Sequence, residues 1–512
     1  KHVKGKTLVG LEYEGPFDEL GVQHDVKHPV ISWDMVSDDE GTGLVHIAPG
    51  CGADDFELGK KYGLAQITPL DESGIYIDGF GSLTGQHVKK VNPLVVSSLK
   101  EKELLFKEEA YTHRYPTCWR CKEELVFRIA SEWFISSEEI RPLMKKAAET
   151  VEWYPKHAGK LMQDWLDNMG DWCISRKRFW GLPLPFWKCN CGHIEIVESK
   201  KNLEKLGATN LDKVKELHRP WIDKVTITCP ECKEIATRVT EVGDCWLDAG
   251  IVPFSTLKYL NDKTYWKKWF PAEFITEMRE QIRLWFYSML FMSVTLEGKT
   301  PYKKVLVNEK VHDSKGQPMH KSSGNAIWLD DALDKMGADV MRWMYVTQNP
   351  ISNMHFGFET ANDTVKLLKV IWNLANYVQL YTKKGTGTFD DSAQAQWILS
   401  KLETTKQNVT NNLEAMQPHK AMKDIQDFLI VNLSRTYGQF IREYLEDAKV
   451  QRTLRHCFNE GLRLLAPICP FFTEKIYLEV FKEKDSIFLE EWPKVDKKYI
   501  KPTLEKQMTT AL

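Results

Sequence analysis

The sequence predicts a multidomain α/β protein with three regions, and three patterns along the chain carry this prediction. Up to about residue 110, short β-rich runs alternate with glycine-rich turns. From about 136, helical patterns alternate with apolar strand-like runs, as a parallel α/β sheet requires. After about 360 the strand signals vanish and apolar residues recur at helical spacing. We therefore expect a β-rich unit over 1–135, a parallel α/β unit over 136–355 and an all-α bundle over 356–512.

Length, composition and charge are consistent with a large globular protein. The chain has 512 residues, several times the length of a typical domain, of which 43% are hydrophobic and 27% charged. The 69 Lys+Arg nearly cancel the 71 Asp+Glu, so any RNA-binding surface must be a local patch. No apolar run reaches the length of a membrane span, and the opening KHVKGKTLVG lacks the apolar core of a signal peptide. We expect a cytoplasmic protein that does not contact a membrane.

Individual segments illustrate the three patterns. TLVGLEY, GLVHIAPG and GIYIDGF are strand-like runs of the first region, and FITEM and KVLVNEKV are strand-like runs of the second. IRPLMKKAAETV, ahead of FITEM, has the apolar spacing of a helix. Within the third region, apolar residues in two sets predict the buried faces of bundle helices: Leu367, Ile371, Leu374 and Val378, and Met422, Ile425, Leu429 and Leu433.

Four cysteines form two closely spaced pairs, Cys189 with Cys191 and Cys229 with Cys232. Thiolates in two such turns can complete a tetrahedral zinc site in which every position is filled and the metal is structural. We predict a zinc-ribbon insertion at about 187–240 within the α/β unit, held by these four residues. Two alternatives are a ribbon that has lost its metal and a site in which a nearby histidine, His193, replaces one thiolate.

A further pair of cysteines, Cys118 and Cys121, encloses Trp119 and Arg120. A tetrahedral metal site needs two more ligands, and the sequence offers no obvious partner pair nearby. Either the partner ligands precede Lys1 or the pair holds no metal, and both alternatives stay open.

A loop rich in small and polar residues, GQPMHKSSGN at 316–325, follows a strand-like run and precedes a helical pattern. Its lysine could stabilise the charge that develops on a leaving pyrophosphate. Three further segments accompany this loop: DWCISRKRFWGLPLPFW at 171–187, DCWLDAGIVPF at 244–254 and FITEMREQIRLWFY at 274–287. In this order the four segments resemble the class I aminoacyl-tRNA synthetases of the isoleucine, valine and leucine subgroup. In that family the loop is the KMSKS signature, which supports activation of the amino acid by ATP.

Within the subgroup, the isoleucine enzymes match best. RFWG at 178–181, followed by Pro183 and Pro185, resembles their signature, and DCWLD at 244–248 resembles their form of that motif. The resemblance implies a Rossmann-like catalytic domain, of which 136–355 is the C-terminal half. It also implies a reaction in which ATP, with Mg, and isoleucine form isoleucyl-adenylate before transfer of isoleucine to tRNA(Ile). A valine enzyme is the alternative.

The resemblance assigns substrate-binding roles to three residues of the α/β region. Glu277 would bind the substrate ammonium, Gln281 would help to hold the aminoacyl-adenylate, and Trp285 would line the side-chain pocket. For Trp285 the alternative is an ordinary core aromatic.

The KMSKS-like loop would supply the catalytic lysine. By resemblance Lys321 matches the second lysine of the signature, and it would bind ATP together with Met319 and Ser322. Pro318 and His320 stand where the family usually has Lys and Ser. The contribution of the first lysine of the signature is therefore not expected here.

The first region of the chain resembles the C-terminal portion of the editing domain inserted in the same enzymes, on the strength of GTGLVHIAPG at 41–50 and DDF at 54–56. A binding pocket rejects an amino acid smaller by one methylene by only about 1–3 kcal/mol, a general limit for which these enzymes are the standard example. Hydrolysis of mischarged valyl-tRNA is therefore expected. By resemblance Asp55 would bind the α-ammonium, and Thr42 and His46 would line the pocket; His46 could alternatively be a structural histidine.

The third region resembles the helical anticodon-binding domain of the subgroup, through Trp372–Asn373, LSRTY at 433–437 and LAPICPF at 465–471. The resemblance therefore implies tRNA(Ile) as a partner. For most of these residues the alternative is ordinary packing within the bundle.

One signature of the family, His-x-Gly-His, does not occur in the sequence. In the family it lies in the first half of the nucleotide-binding fold. We therefore expect a fragment without its N-terminal portion, unable to form isoleucyl-adenylate alone and monomeric when complete. Two other functional classes stay open: a trans-editing hydrolase of mischarged tRNA, and a non-catalytic module that binds tRNA or protein.

Overall fold

The computed structural model divides into two compact units, with the boundary between Glu132 and Trp133. Of the residues singled out in the sequence, Gly41, Trp119 and Arg120 lie outside the residues that are described. The structure describes residues 3–37, 42–110, 112–118, 121–385 and 387–511.

The first unit contains less β-structure than the sequence predicts. Its strands and helices are β1 (Glu12–Tyr13), β2 (His28–Pro29), α1 (Ala53–Tyr62) and α2 (Asn92–Glu101). The two short strands pair with each other in antiparallel fashion. The run around Leu44 and Val45 stays irregular, with these side chains 62% and 54% exposed. A strand requires a hydrogen-bonded neighbour, and the described residues supply none to this run. The prediction of a β-rich unit is therefore not met in the described residues.

The second unit alternates strands and helices up to Phe356. In chain order its strands are β3 (Phe134–Ile135), β4 (Glu152–Tyr154), β5 (Trp172–Cys173), β6 (Ser175–Arg176), β7 (Phe186–Lys188), β8 (Ile194–Ile196), β9 (Thr226–Thr228), β10 (Ile235–Arg238), β11 (Val242–Gly243), β12 (Ala272–Met278), β13 (Tyr302–Asn308), β14 (Val311–Asp313) and β15 (Met354–Phe356). Its helices in this range are α3 (Arg141–Glu149), α4 (His157–Asn168), α5 (Lys200–Lys205), α6 (Cys245–Gly250), α7 (Val252–Ser255), α8 (Lys263–Trp269), α9 (Trp285–Glu297), α10 (Leu329–Met336) and α11 (Ala338–Thr347).

The central sheet of this unit is parallel, as the sequence predicts. Its strand order is β12-β13-β4. Parallel neighbours need a crossover connection, and α9 supplies it between β12 and β13. Every residue of α9 from Phe286 to Phe291 is buried, because the helix packs against α3 and α6 as well as the sheet. A helix that is apolar on all sides is stable only when it is covered in this way.

A separate antiparallel sheet forms the insertion predicted at about 187–240. Its strand order is β8-β7-β10-β9. Its small core includes Trp187, Val225, Ile227 and Ala236, none of which is more than 2% exposed. This core is small, so cross-linking at the ends of the strands has a large effect on its stability.

The chain becomes entirely helical after β15, as predicted. The helices are α12 (Phe358–Tyr381), α13 (Ala393–Glu414), α14 (Pro418–Gln426), the π-helical segment Asp427–Tyr437, α15 (Gly438–Phe440), α16 (Ala448–Leu465), α17 (Pro470–Val480) and α18 (Pro502–Ala511). Of the eight residues predicted to line the buried faces, seven are at most 5% exposed, and Leu367 is half-buried. In the described stretches of the chain, no helix is long and apolar enough to cross a membrane.

A buried ionic cluster lies inside the helical bundle. Lys406, with its side chain 3% exposed, contacts Glu403 at 2.7 Å and Glu460 at 3.2 Å. The backbone N–H of Asp496 donates to Glu403 at 2.7 Å, and Lys406 donates to the carbonyl of Lys494 at 2.9 Å. Burial raises the pKa of Glu403 above its usual value even beside this lysine. The cluster therefore attaches the segment that follows α17 to the centre of the bundle.

Removing the buried ammonium should strongly destabilise the bundle. We expect Lys406→Met to lower the free energy of unfolding by about 3–5 kcal/mol, because Glu403 would stay buried without a counter-charge and Glu460 would keep only Arg463. The matched control is Lys423→Met, at an exposed lysine 3.3 Å from Asp427, where about 0.5 kcal/mol or less is expected. Thermal unfolding followed by circular dichroism measures both. Equal losses for the two variants would contradict this account of the cluster.

Candidate active site and cysteine cluster

The carboxyl ends of β12 and β13 lie at one edge of the parallel sheet. Glu277 is the second-last residue of β12 and is level with Val307, the second-last residue of β13. In open parallel sheets this edge is where ligands bind. The chain leaves β13 at this edge, forms β14 and enters the 316–325 loop. Both segments that resemble catalytic signatures therefore emerge from the same end of the sheet.

Glu277, Gln281 and Trp285 follow one another across the turn from β12 into α9. The Glu277 side chain is exposed, and its carboxylate accepts the N–H of Met278 at 3.2 Å. The Gln281 side chain accepts the N–H of Trp285, the first residue of α9, at 3.0 Å. The half-buried Trp285 donates its indole N–H to the carbonyl of Ala249 in α6 at 3.0 Å. Trp285 thus packs partly in the core and keeps some of its ring at the surface.

Asp244 and Arg176, to which the motifs alone give no role, join two of the motifs to each other. Asp244 is buried and accepts from the Arg176 guanidinium at 2.6 Å and from the N–H of Trp246 at 3.1 Å. The indole of Trp172 lies 3.5 Å from the same carboxylate. An aspartate immediately before a helix is a local N-cap signal that can be read from the sequence. Its arginine partner is 68 residues away, so no local pattern indicates the ion pair. The pair fixes α6, and with it the carbonyl that Trp285 contacts.

The 316–325 loop presents Lys321 in a short turn. Lys321–Ser323 form one 3-10 turn, which ends at Gly324 with a φ of +71°, a left-handed conformation that favours glycine. The Lys321 Nζ lies 4.5 Å from the ring centroid of Trp328, a cation–π contact. Ser322 is exposed, whereas Met319 is half-buried against the large hydrophobic core of the helical region. Met319 therefore helps to anchor the loop, whereas Lys321 and Ser322 are exposed to solvent.

An open cavity of about 520 Å³ borders the base of this loop. Its lining comes from residues 313–315, 324–327 and 356–359. Glu277, Gln281 and Trp285 do not line it. The cavity therefore lies between the loop and the start of α12, separate from the three residues expected to bind the amino acid.

The four cysteines of the insertion lie together, as predicted. Their sulfur atoms are all within 4.8 Å of one another, with Cys189 and Cys232 at 3.4 Å and Cys191 and Cys229 at 3.8 Å. Four sulfurs around one zinc ion, each about 2.3 Å from it, are about 3.8 Å apart. The N–H of Cys232 stabilises the thiolate of Cys229 and lowers its pKa to about 7. The set can therefore hold a tetrahedral metal ion.

His193 does not occupy a ligand position in this cluster. Its two ring nitrogens lie 3.1 Å from Glu195 and 3.2 Å from Glu231. The alternative in which His193 replaces a thiolate is therefore not supported by its position.

The described backbone at Cys118 and Lys122 makes the same hydrogen bonds as one turn of the four-cysteine cluster. The N–H of Cys118 donates to Glu123 O at 2.7 Å, and Lys122 N donates to Cys118 O at 2.9 Å. The turn at Cys229 has the same two bonds, at 2.8 and 3.0 Å, and both turns end in a lysine with φ near +65°. Among the described residues, only the cluster of the insertion brings three or more potential metal ligands together. Both alternatives for Cys118 and Cys121 therefore stay open.

In the first unit, Asp55 lies in the first turn of α1. Its carboxylate accepts the N–H of Ala48 at 2.8 Å. A Cβ at Gly52 would lie 2.1 Å from the Asp55 carboxylate, so any other residue there would displace this side chain. Thr42 and His46 are exposed. The structure thus ties Asp55 to the loop before α1 and leaves the other two side chains in solvent.

Comparison with known proteins decides the family. A family model described as tRNA synthetases class I (I, L, M and V) matches residues 24–356, more than half of the chain. The chain belongs to the class I tRNA synthetases. A second model, the anticodon-binding domain of tRNA ligase, matches residues 395–512.

Similar class I synthetases occur in archaea. Isoleucine–tRNA ligases of Methanopyrus kandleri and Methanosarcina barkeri are each 35% identical to the chain, over 98% and 99% of its length. That of Archaeoglobus fulgidus is 36% identical over 99% of the chain. The matches cover 51%, 50% and 51% of these relatives, so the chain spans about half the length of the curated relatives it matches.

One solved class I synthetase has a similar fold. It is the agnB2 LeuRS of Agrobacterium radiobacter K84, in a ternary complex with tRNA and LeuAMS. The TM-score is 0.51 with 17% sequence identity, over 65% of this chain and 44% of that chain. At this identity the likeness concerns the fold alone.

The ion pair between Asp244 and Arg176 should stabilise the α/β region of this synthetase chain. We expect Asp244→Ala to lower the free energy of unfolding by about 2 kcal/mol, because it removes a charge-assisted hydrogen bond and a helix cap. Asp248→Ala, at an exposed position of the same helix, is the control with the same change of charge and should have little effect. Urea unfolding followed by tryptophan fluorescence compares them. A similar free energy of unfolding for both variants would show that the Asp244–Arg176 ion pair does not stabilise this region.

Proposed function

We propose that this chain belongs to an enzyme that attaches isoleucine to tRNA(Ile), using ATP with Mg, through an isoleucyl-adenylate. The proposal depends chiefly on one observation, the match of almost the entire chain to relatives named isoleucine–tRNA ligase. The placement of Glu277 and the 316–325 loop at one edge of the parallel sheet supports it independently. The reaction would take place in the cytoplasm.

Each proposed site residue has a chemical task in amino acid activation. The Glu277 carboxylate is the counter-charge for the α-ammonium of isoleucine, and Gln281 offers an amide to the adenylate. Trp285 supplies an apolar wall for the branched side chain. Lys321, at the exposed turn of the loop, stabilises negative charge as pyrophosphate leaves. Mg, when bound with ATP, neutralises phosphate charge.

The other regions of the chain would serve transfer and proofreading. The helical region would bind tRNA, in keeping with its anticodon-binding family match. In the first unit Asp55, Thr42 and His46 would line a site that hydrolyses valyl-tRNA. Asp55 is the counter-charge for an amino acid ammonium in this proposal, so ligand binding would have to compete with its hydrogen bond to Ala48.

Zinc is the metal that best fits the insertion. Four cysteine thiolates without an open coordination position are typical of structural zinc, and the separations between the sulfur atoms suit its bond length. The metal would join the two turns and stabilise an insertion whose own core is small. We assign no catalytic role to it.

Amino acid activation is tested by isoleucine-dependent ATP–pyrophosphate exchange. The protein used should be extended to the length of its curated relatives. We expect exchange with isoleucine to exceed exchange with valine, and Lys321→Ala to lower kcat by about a hundredfold or more. The control is Lys303→Ala, at an exposed lysine near the opposite, amino-terminal end of β13, which should leave exchange unchanged.

Other results of this assay would change the assignment. Exchange that favours valine would identify a valine enzyme. No exchange with either amino acid would exclude activation, and hydrolysis of valyl-tRNA would then distinguish an editing hydrolase from a binding module.

Zinc binding is tested by the metal content of this chain. We expect one zinc ion per chain after purification, and its loss in Cys229→Ser together with a lower melting temperature, because three thiolates hold zinc less tightly than four. The control is Cys245→Ser, at an exposed cysteine outside the cluster. Atomic emission spectroscopy gives the content. A zinc-free wild-type chain, or equal zinc in both variants, would contradict the proposal.

A further inference from the structure

One side chain, Asn325, bridges the neck of the 316–325 loop with its amide. Its Nδ2 donates to the Asp313 carboxylate at 2.9 Å and to the carbonyl of Pro318 at 3.1 Å. Its Oδ1 accepts the N–H of His320 at 3.0 Å. We call the pairing of the two side chains the Asp313–Asn325 clasp. Asn325 thus contacts the strand that enters the loop and the backbone on both sides of Met319.

The bond from His320 to Asn325 closes a small ring of backbone that contains Lys321. Only four residues, Lys321 to Gly324, lie between its two ends. Two turn bonds lie within this segment, from Ser323 N to His320 O at 3.1 Å and from Gly324 N to Lys321 O at 3.2 Å. A ring this short has few conformations, so closing it restricts where the lysine ammonium can go. Opening it leaves the lysine on a longer, looser segment.

The base of the loop is held by bonds that do not involve Asn325. The N–H of Asp313 donates to the carbonyl of Gln317 at 2.9 Å, and the carbonyl of Asp313 accepts the N–H of Gly316 at 3.0 Å. The Asp313 carboxylate accepts the N–H groups of Lys315 and Gln317 at 2.9 and 2.8 Å. Strand β14 also pairs with β15. Loss of Asn325 should therefore loosen the segment around Lys321 without unfolding the base. An effect of the substitution on the position of Lys321 can therefore be distinguished from an effect on the folding of the loop base.

The pKa of Asp313 is held below its usual value, chiefly by the hydrogen bond from Asn325 and next by the N–H of Gln317. This carboxyl group is therefore ionised at neutral pH. A neutral amide donor opposite a carboxylate is attractive. A second carboxylate at position 325 would instead repel the first and could not donate to Pro318.

We propose that Asn325 is a positioning residue for Lys321, which it places for the transition state of amino acid activation by closing the ring that carries the lysine. The expected loss of kcat rests on the proposed function, whereas the expected loosening of the loop does not. Asn325 acts through Lys321 and contacts no reacting group. Its loss should therefore lower kcat more than it raises KM, because the lysine is needed where charge develops and not where isoleucine binds.

The structural consequence can be tested on this chain by hydrogen exchange. We expect Asn325→Ala to speed exchange of the amides of residues 319–324 and to leave those of β14 unchanged, because the bonds at the base persist. The matched control is Asn412→Ala, since Asn412 donates to Asp424 at 3.0 Å, also twelve positions along the chain but within the bundle. No change in the loop of Asn325→Ala, or the same change in the control, would overturn the proposal.

The chemical consequence requires the extended protein and ATP–pyrophosphate exchange. We expect Asn325→Ala to lower kcat by about tenfold, or about 1.4 kcal/mol of activation free energy, with KM for isoleucine within about twofold of wild type. Asn325→Asp should be at least as defective. The double variant Asp313→Asn with Asn325→Asp restores a donor opposite a carboxylate, so it should recover some of the lost kcat.

The outcomes distinguish this inference from the proposed function. If the wild-type protein shows no isoleucine-dependent ATP–pyrophosphate exchange, the proposed function fails. The amide hydrogen-exchange result then decides alone whether the clasp holds the loop. If the wild type is active and Asn325→Ala keeps its kcat, the positioning role is wrong. A defect in Asn325→Asp that the double variant does not relieve would also overturn the clasp.

Discussion

The parallel pairing of β12 with β13 is the interaction on which the other features of the candidate site depend. It sets Glu277 level with Val307, so the turn into α9 and the path to the 316–325 loop begin at the same edge. The pairing requires a buried crossover helix, and this requirement explains the largely apolar composition of α9. A shift of register would separate the group proposed to bind the amino acid from the loop proposed to act on ATP.

Contacts on either side of this edge keep these elements in place. Asp244 and Arg176 fix α6, whose Ala249 carbonyl receives the indole of Trp285. Beyond the loop, α10 leads into α11, where Asp339 accepts the N–H of Phe472 at 2.6 Å. The helices that follow the loop are therefore fastened to the first turn of α17. Positions of the loop and of the helical region are linked through these hydrogen bonds.

Patterns that are periodic or local could be predicted from the sequence, and contacts between distant polar groups could not. Apolar spacing predicted the burial of Ile371 and Leu429, and cysteine spacing predicted the four-sulfur cluster. The expected β-rich first region is not met around Leu44, because alternation makes a strand only where a neighbouring strand pairs with it. The roles of Asn325 and Asp244 depend on partners that only the folded chain brings together. For the residues proposed to bind substrate, a family resemblance supplied the assignment and the fold supplies their placement.

The central claim is that Glu277 and the loop lysine serve one substrate at the carboxyl edge of the sheet. The most direct test is a crystal structure of the extended protein with a non-hydrolysable analogue of isoleucyl-adenylate. We expect the α-ammonium of the analogue within about 3 Å of the Glu277 carboxylate, and the 316–325 loop alongside the phosphate mimic. An analogue bound elsewhere, with Glu277 in solvent and the loop far from it, would contradict the claim.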